Sequence, residues 1–230
     1  MRLGELVEAS AAVTATAARN EKIAVLSALL ARAEPDDVAP VVSWLSGELT
    51  QRQIGVGWAL LRERPAPAEA PSLTVAELEQ ALGAIGALQG RGSVAARRAA
   101  VRAVLERATG EEQEFLVRLL LGDLRQGALA GVMTDAAARA AGLPASELRR
   151  ALTLHGDLAA VTAIALREGR PGLAAIRLRI GRPLAPMLAG SAGDVSSALA
   201  RTGPAGQRAA TGAHAARRPG GGGGDRAARR

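Results

Sequence analysis

The chain has no cysteine and no tyrosine, and its aromatic residues are limited to Trp44, Trp58 and Phe115. Without thiols there is neither a disulfide framework nor a thiolate metal site, which fits a reducing compartment and sets the expectation of a cytoplasmic protein. With so few aromatic rings, a core must come from Leu, Val and Ala packed on helices; Trp44 and Trp58, each inside an apolar run, are expected to join it. The only histidines, His155 and His214, stand apart from one another and from any triad or metal-ligand pattern. No apolar run reaches the roughly 18–20 residues of a membrane span, and Met1 is followed by an acidic amphipathic segment rather than a leader. The expectation is a protein without a membrane partner.

Lysine is almost absent too. Lys22 is the single one, against 28 arginines, and the formal net charge is +7. Much of that excess lies at one end: residues 203–230 hold six arginines and one aspartate, leaving 23 basic and 21 acidic residues in 1–202. The body is close to neutral, so charge alone does not argue for a polyanion partner.

Helical periodicity dominates what is present. Leu3, Leu6, Val7 and Val13 stripe a first segment, Ile23, Leu26, Leu29 and Leu30 a second, and Val38, Val41, Val42, Leu45 and Leu49 a third. A short helix is expected within Gly57–Arg64, stopped by the proline-spaced stretch Pro65–Pro71, which reads as an internal linker. Thr74-Val75-Ala76-Glu77 and Thr109-Gly110-Glu111-Glu112 are capping-box patterns opening further helices. Between them, Ser93–Ala108 is a helix with Arg97, Arg98 and Arg102 on a basic face. Another helix is expected to end at Gly142, and two shorter ones to cover Ala145–His155 and Leu158–Arg167. Ile176–Ile180 alternates as a half-exposed strand does, Gly181–Ala189 reads as an extended connector, and a capped helix is expected near Asp194–Arg201. The Gly/Ala/Arg-rich segment 203–230 is expected to be disordered. The fold class is therefore all-α: two pseudo-symmetric helical halves packed as one body over residues 1–175, an extended connector over 176–202, and a tail over 203–230.

One segment occurs twice, 75 residues apart. Leu45-Ser46-Gly47-Glu48-Leu49-Thr50-Gln51 and Leu120-Leu121-Gly122-Asp123-Leu124-Arg125-Gln126 both read Leu-x-Gly-acid-Leu-x-Gln, followed by a short basic or glycine-bearing turn. In each, an apolar helix runs into a tight loop and a second helix opens beyond it, presenting the free N–H groups of its first turn. Gly55, Gly57, Gly127 and Gly131 would let a phosphate approach the backbone. Arg52 and Arg125 add charge, and Gln51, Gln53 and Gln126 can donate to phosphate or sugar oxygens. Such contacts position a duplex without reading its sequence. The two loops are expected to lie far enough apart to act independently.

The duplicated loop, together with the connector containing Pro186-Met187-Leu188-Ala189, resembles the N-terminal helical DNA-binding domain of ATP-dependent DNA ligases of the bacterial type. The resemblance covers about residues 1–202, of which 176–202 would be the extended connector and the start of an adenylation domain that is missing. It implies sequence-independent binding of nicked double-stranded DNA by a monomer, and, for the full-length family enzyme, nick sealing in repair, replication and recombination with ATP and Mg as cofactors. The Glu-Lys-x-Asp-Gly motif whose lysine takes AMP in that family is missing, since Lys22 is followed by Ile23-Ala24-Val25. No catalytic residue, cofactor site or metal site is therefore expected in this chain, and AMP transfer is not expected of it alone. The resemblance further suggests a reading frame truncated or shifted near Gly203. A second reading from the residues is an all-helical protein–protein interaction scaffold with no nucleic-acid role.

Overall fold

The computed structural model describes residues 1–51, 53–124 and 129–178. Ten helices run through them: α1 (Leu3–Ala15), α2 (Arg19–Leu30), α3 (Val38–Leu45), α4 (Trp58–Leu61), α5 (Val75–Ala87), α6 (Ser93–Arg107), α7 (Gly110–Leu120), α8 (Leu129–Ala140), α9 (Ala145–His155) and α10 (Leu158–Ala175). Extended pairing among the described residues is limited to one isolated bridge, Arg2 with Thr74. None of these helices is long and apolar enough to cross a membrane.

Both capping boxes form. At α5 the Thr74 hydroxyl accepts from the Glu77 N–H (3.2 Å) while the Glu77 carboxylate accepts from the Thr74 N–H (2.9 Å). At α7 Thr109 and Glu112 make the same exchange, at 3.4 and 2.8 Å. Glu77 also takes the Arg107 guanidinium at 2.9 Å, which ties the start of α5 to the end of α6. That hydrogen bond from Arg107, then those from the Thr74 backbone and hydroxyl, lower the Glu77 pKa from 4.5 to about 2. Because the folded-state pKa is depressed, the stabilisation is complete above the unfolded value and disappears as pH falls from about 4.5 to about 2. Glu77→Gln is therefore expected to be less stable than the parent at pH 7, with the difference shrinking across that window; urea unfolding at stepped pH measures it.

The two halves interleave rather than stack. Helix α1 packs on α7, α2 on α8 and α3 on α10, so first-half elements are covered by second-half ones. The shared core is Leu- and Val-rich, with Leu3, Leu6, Leu26, Leu29, Leu45, Leu78 and Leu105 essentially inaccessible and Trp44 completely so. The proline-rich stretch lies as a strap against α6 and α7. Ala68 N–H donates to the Ala108 carbonyl (2.9 Å), and the Gln113 amide donates to the carbonyls of Leu105 (2.9 Å) and Pro65 (3.3 Å).

Several expectations are corrected. Helix α3 stops at Leu45, so Leu49 lies beyond the turn rather than on its stripe. Helix α10 continues to Ala175 through a kink where Gly169 has φ 61° and Pro171 follows, instead of ending at Arg167. Ile176–Leu178 carry no regular structure; the remainder of the expected strand, the connector, the helix near Asp194 and the tail lie outside the described residues. Trp58 is 61% exposed, because α4 is a single turn that buries only Leu61.

Candidate nucleic-acid interface

The repeated motif is a repeated helix stop. After α3, Gly47 (φ 80°) donates to the Trp44 carbonyl at 2.9 Å and Glu48 N–H to the Ser43 carbonyl at 2.9 Å. After α7, Gly122 (φ 69°) donates to Leu119 at 3.1 Å and Asp123 to Arg118 at 2.8 Å. This is the same Schellman pair of bonds twice, with glycine supplying the left-handed residue. The turn uses the backbone N–H of the acidic position. Gly142 (φ 65°) ends α8 by the same device, as its sequence position suggested.

The two stops touch each other. A Cβ on Gly47 would stand 3.5 Å from the Leu124 carbonyl oxygen and 3.9 Å from its Cβ, and Leu124 is buried there. The loops therefore leave from one junction, against the expectation of two distant contacts. Twelve residues separate α3 from α4, whereas eight separate α7 from α8.

The longer first loop uses its extra residues to fold back onto α5 and α6. Thr50 Oγ1 donates to Glu79 Oε1 (2.6 Å), and the Gln51 amide donates to the same oxygen (2.9 Å). Ile54 is buried against Gly86 of α5, where an added Cβ would meet Ile54 Cγ2 at 3.0 Å. Gly55 (φ 67°) lies over Arg97 of α6, with an added Cβ 3.2 Å from the guanidinium carbon. Arg97 is held from below by donating to the Leu88 carbonyl at 2.6 Å. What this packing leaves on the surface is Gln53, Gly55, Gly57 and Trp58.

The site residues read from sequence thus divide. The Gln51 amide is committed to Glu79, so it braces the loop. Gln53 and Gly55 are presented outward, and Gly57, extended at φ −124° with open space at its Cβ position, makes no steric demand for glycine. Gly131 is inside the first turn of α8, exposed, with its carbonyl accepting from Arg19 Nη2 at 3.3 Å. The same nitrogen reaches Asp135 at 2.7 Å, fixing α8 to α2. Arg52, Arg125, Gln126 and Gly127 lie outside the described residues. Thr50, Ile54, Glu79 and Gly86 set the loop's course and carry no local sequence signal; they are neighbours only after α5 docks. Gly86→Val is expected to cost about 1–3 kcal/mol by overpacking Ile54 and to weaken ligand binding at the loop without any change of charge; thermal melts and binding isotherms on one preparation read both.

The described residues contain no group of three His, Asp or Glu able to hold a metal ion, and Lys22 lies in α2. Asp36 and Asp37 precede α3, where the buried Asp37 carboxylate pairs with the N-terminal ammonium of Met1, a structural contact. What the described part of the first loop does offer at its surface is backbone and the Gln53 side chain.

Residues 59–138 fit the family model for the DNA ligase N terminus, and the chain belongs to the DNA ligase family. It is 57% identical over 203 residues to a probable DNA ligase of Mycolicibacterium gilvum (strain PYR-GCK), an alignment covering 88% of this chain and 40% of the relative. Probable DNA ligases of Mycolicibacterium paratuberculosis (strain ATCC BAA-968 / K-10) and Anaeromyxobacter dehalogenans (strain 2CP-1 / ATCC BAA-258) are each 54% identical over 203 residues, covering 87% and 86% of this chain and 39% and 40% of their own lengths. The chain therefore spans about 40% of the length of the relatives it matches.

Proposed function

We propose that residues 1–175 bind duplex DNA without regard to sequence, as the DNA-holding part of an ATP-dependent DNA ligase, and that residues 176–202 lead toward a catalytic part. The contact between Gly47 and Leu124 carries this reading, because it brings both copies of the loop to one junction. Two loops leaving one point can hold phosphates along one stretch of duplex, and backbone N–H groups, Gln53, Arg52 and Arg125 suit phosphate and sugar rather than base edges. Gln126 and Gly127, with Gly131 in the first turn of α8, would complete the second contact, while Gln51 keeps the first loop in place. Nick sealing, with its ATP and Mg, belongs to the whole ligase. The natural ligand is nicked duplex, and the protein works as a monomer in the cytoplasm.

Fluorescence anisotropy with two labelled nicked duplexes of unrelated sequence tests the reading. Equal affinities that fall steeply and linearly on a log–log plot against salt are expected. Affinity for neither duplex, or binding indifferent to salt, would favour the helical scaffold instead.

A further inference from the structure

We infer that Trp58 is a DNA-contacting residue, packing its indole face on the deoxyribose edge of the duplex beside the first loop. This rests on the duplex-binding reading above. In a chain with three aromatic residues, Trp44 and Phe115 are core, yet Trp58 remains 61% exposed. It follows Gly57 directly, at the end of a loop fastened to the body through Glu79, Gly86 and Arg97. Ala59 and Leu60 of the same short helix, with Glu63 just beyond it, line a small cavity whose other wall is Arg98, Arg102 and Leu105 of α6. Arg102 is neutralised in part by Glu106 at 2.8 Å, while Arg98 has no ion-pair partner among the described residues. The indole thus sits on a helix that faces Arg98 and Arg102 across this cavity, where the one carboxylate on the near wall, Glu63, is paired with Arg62 at 3.5 Å, on the side of the body that carries the loop.

That combination favours a nucleic-acid backbone over an apolar protein groove. A sugar ring offers C–H groups to the indole face, its flanking phosphates suit the arginines, and Nε1–H can donate to a phosphate or ring oxygen. The contact is apolar and releases no counterion, so it adds affinity without adding to the salt slope.

The absence of tyrosine and the complete burial of Trp44 leave Trp58 as the quencher-accessible fluorophore. Acrylamide quenching of the full chain is measured with and without a saturating unlabelled nicked duplex, alongside anisotropy of a labelled one for Trp58→Ala and Trp58→Phe. The expected result is loss of the accessible fraction on binding, about tenfold weaker affinity for Trp58→Ala with an unchanged salt slope, and a smaller loss for Trp58→Phe. If anisotropy reports a complex while acrylamide access and Trp58→Ala affinity stay as in the free protein, Trp58 is outside the interface and only this inference falls. If no complex forms, both it and the duplex-binding reading fall. Shielding of Trp58 by raised protein concentration alone would assign the surface to a second copy of the chain and overturn the inference.

Discussion

Trp44→Ala is expected to lower unfolding free energy by about 3–5 kcal/mol, the range for emptying the site of a large buried aromatic. Trp44 is completely inaccessible on α3, and its carbonyl receives the Gly47 N–H that closes the first stop. Alanine keeps that backbone carbonyl, so a loss of duplex affinity is expected only through looser packing of α3 beneath the stop. Its Nε1–H is buried without a hydrogen-bond partner, so Trp44→Phe removes an unsatisfied donor as well as ring volume. Those effects oppose each other, and Trp44→Phe is expected to cost less than about 1.5 kcal/mol. Urea unfolding of the three proteins followed by circular dichroism separates the cases. Equal destabilisation by Ala and Phe would mean that the indole nitrogen contributes to stability through a partner such as water.

The second large effect concerns the arginines of the two loops. If Arg52 and Arg125 each neutralise one phosphate, either change to Ala should reduce the magnitude of the log K against log salt slope by roughly 0.9, for duplexes of any sequence. The double change should remove about twice that slope. The affinity losses are not expected to add. Leu124, the residue before Arg125, lies against Gly47, and neighbouring sites commonly couple by about 0.5–3 kcal/mol. Salt titrations of the parent and three variants measure both quantities; slopes that do not change would leave the loops as helix stops alone.

Much of this architecture was legible because its signals are local. Thr74 and Thr109 with glutamates three residues on announced their helices, and Gly142 its stop, since each device is completed within one turn of chain. The duplicated Leu-x-Gly-acid also pointed to a matched pair of turns. Its meaning was only partly readable: the acidic position serves through its backbone N–H, which any residue but proline provides. The junction itself was not legible, because Gly47 meets Leu124 across 77 residues and only the interleaving of the halves brings them together. Ile54 and Gly86 were invisible as a pair for the same reason, and Gln51 was assigned outward because Glu79 was not known to be near. Trp58 failed differently. Its apolar neighbours suggested burial, but one turn of helix has room to bury one large side chain, and Leu61 takes it.

The central claim is that both loop copies form one duplex-binding face, and hydrogen–deuterium exchange of the full chain with and without a nicked duplex tests it most directly. Protection is predicted together at residues 50–58 and 122–131, with the amides of α9 and the second half of α10 unchanged. Protection confined to one loop, or appearing only on α9 and α10, would contradict it.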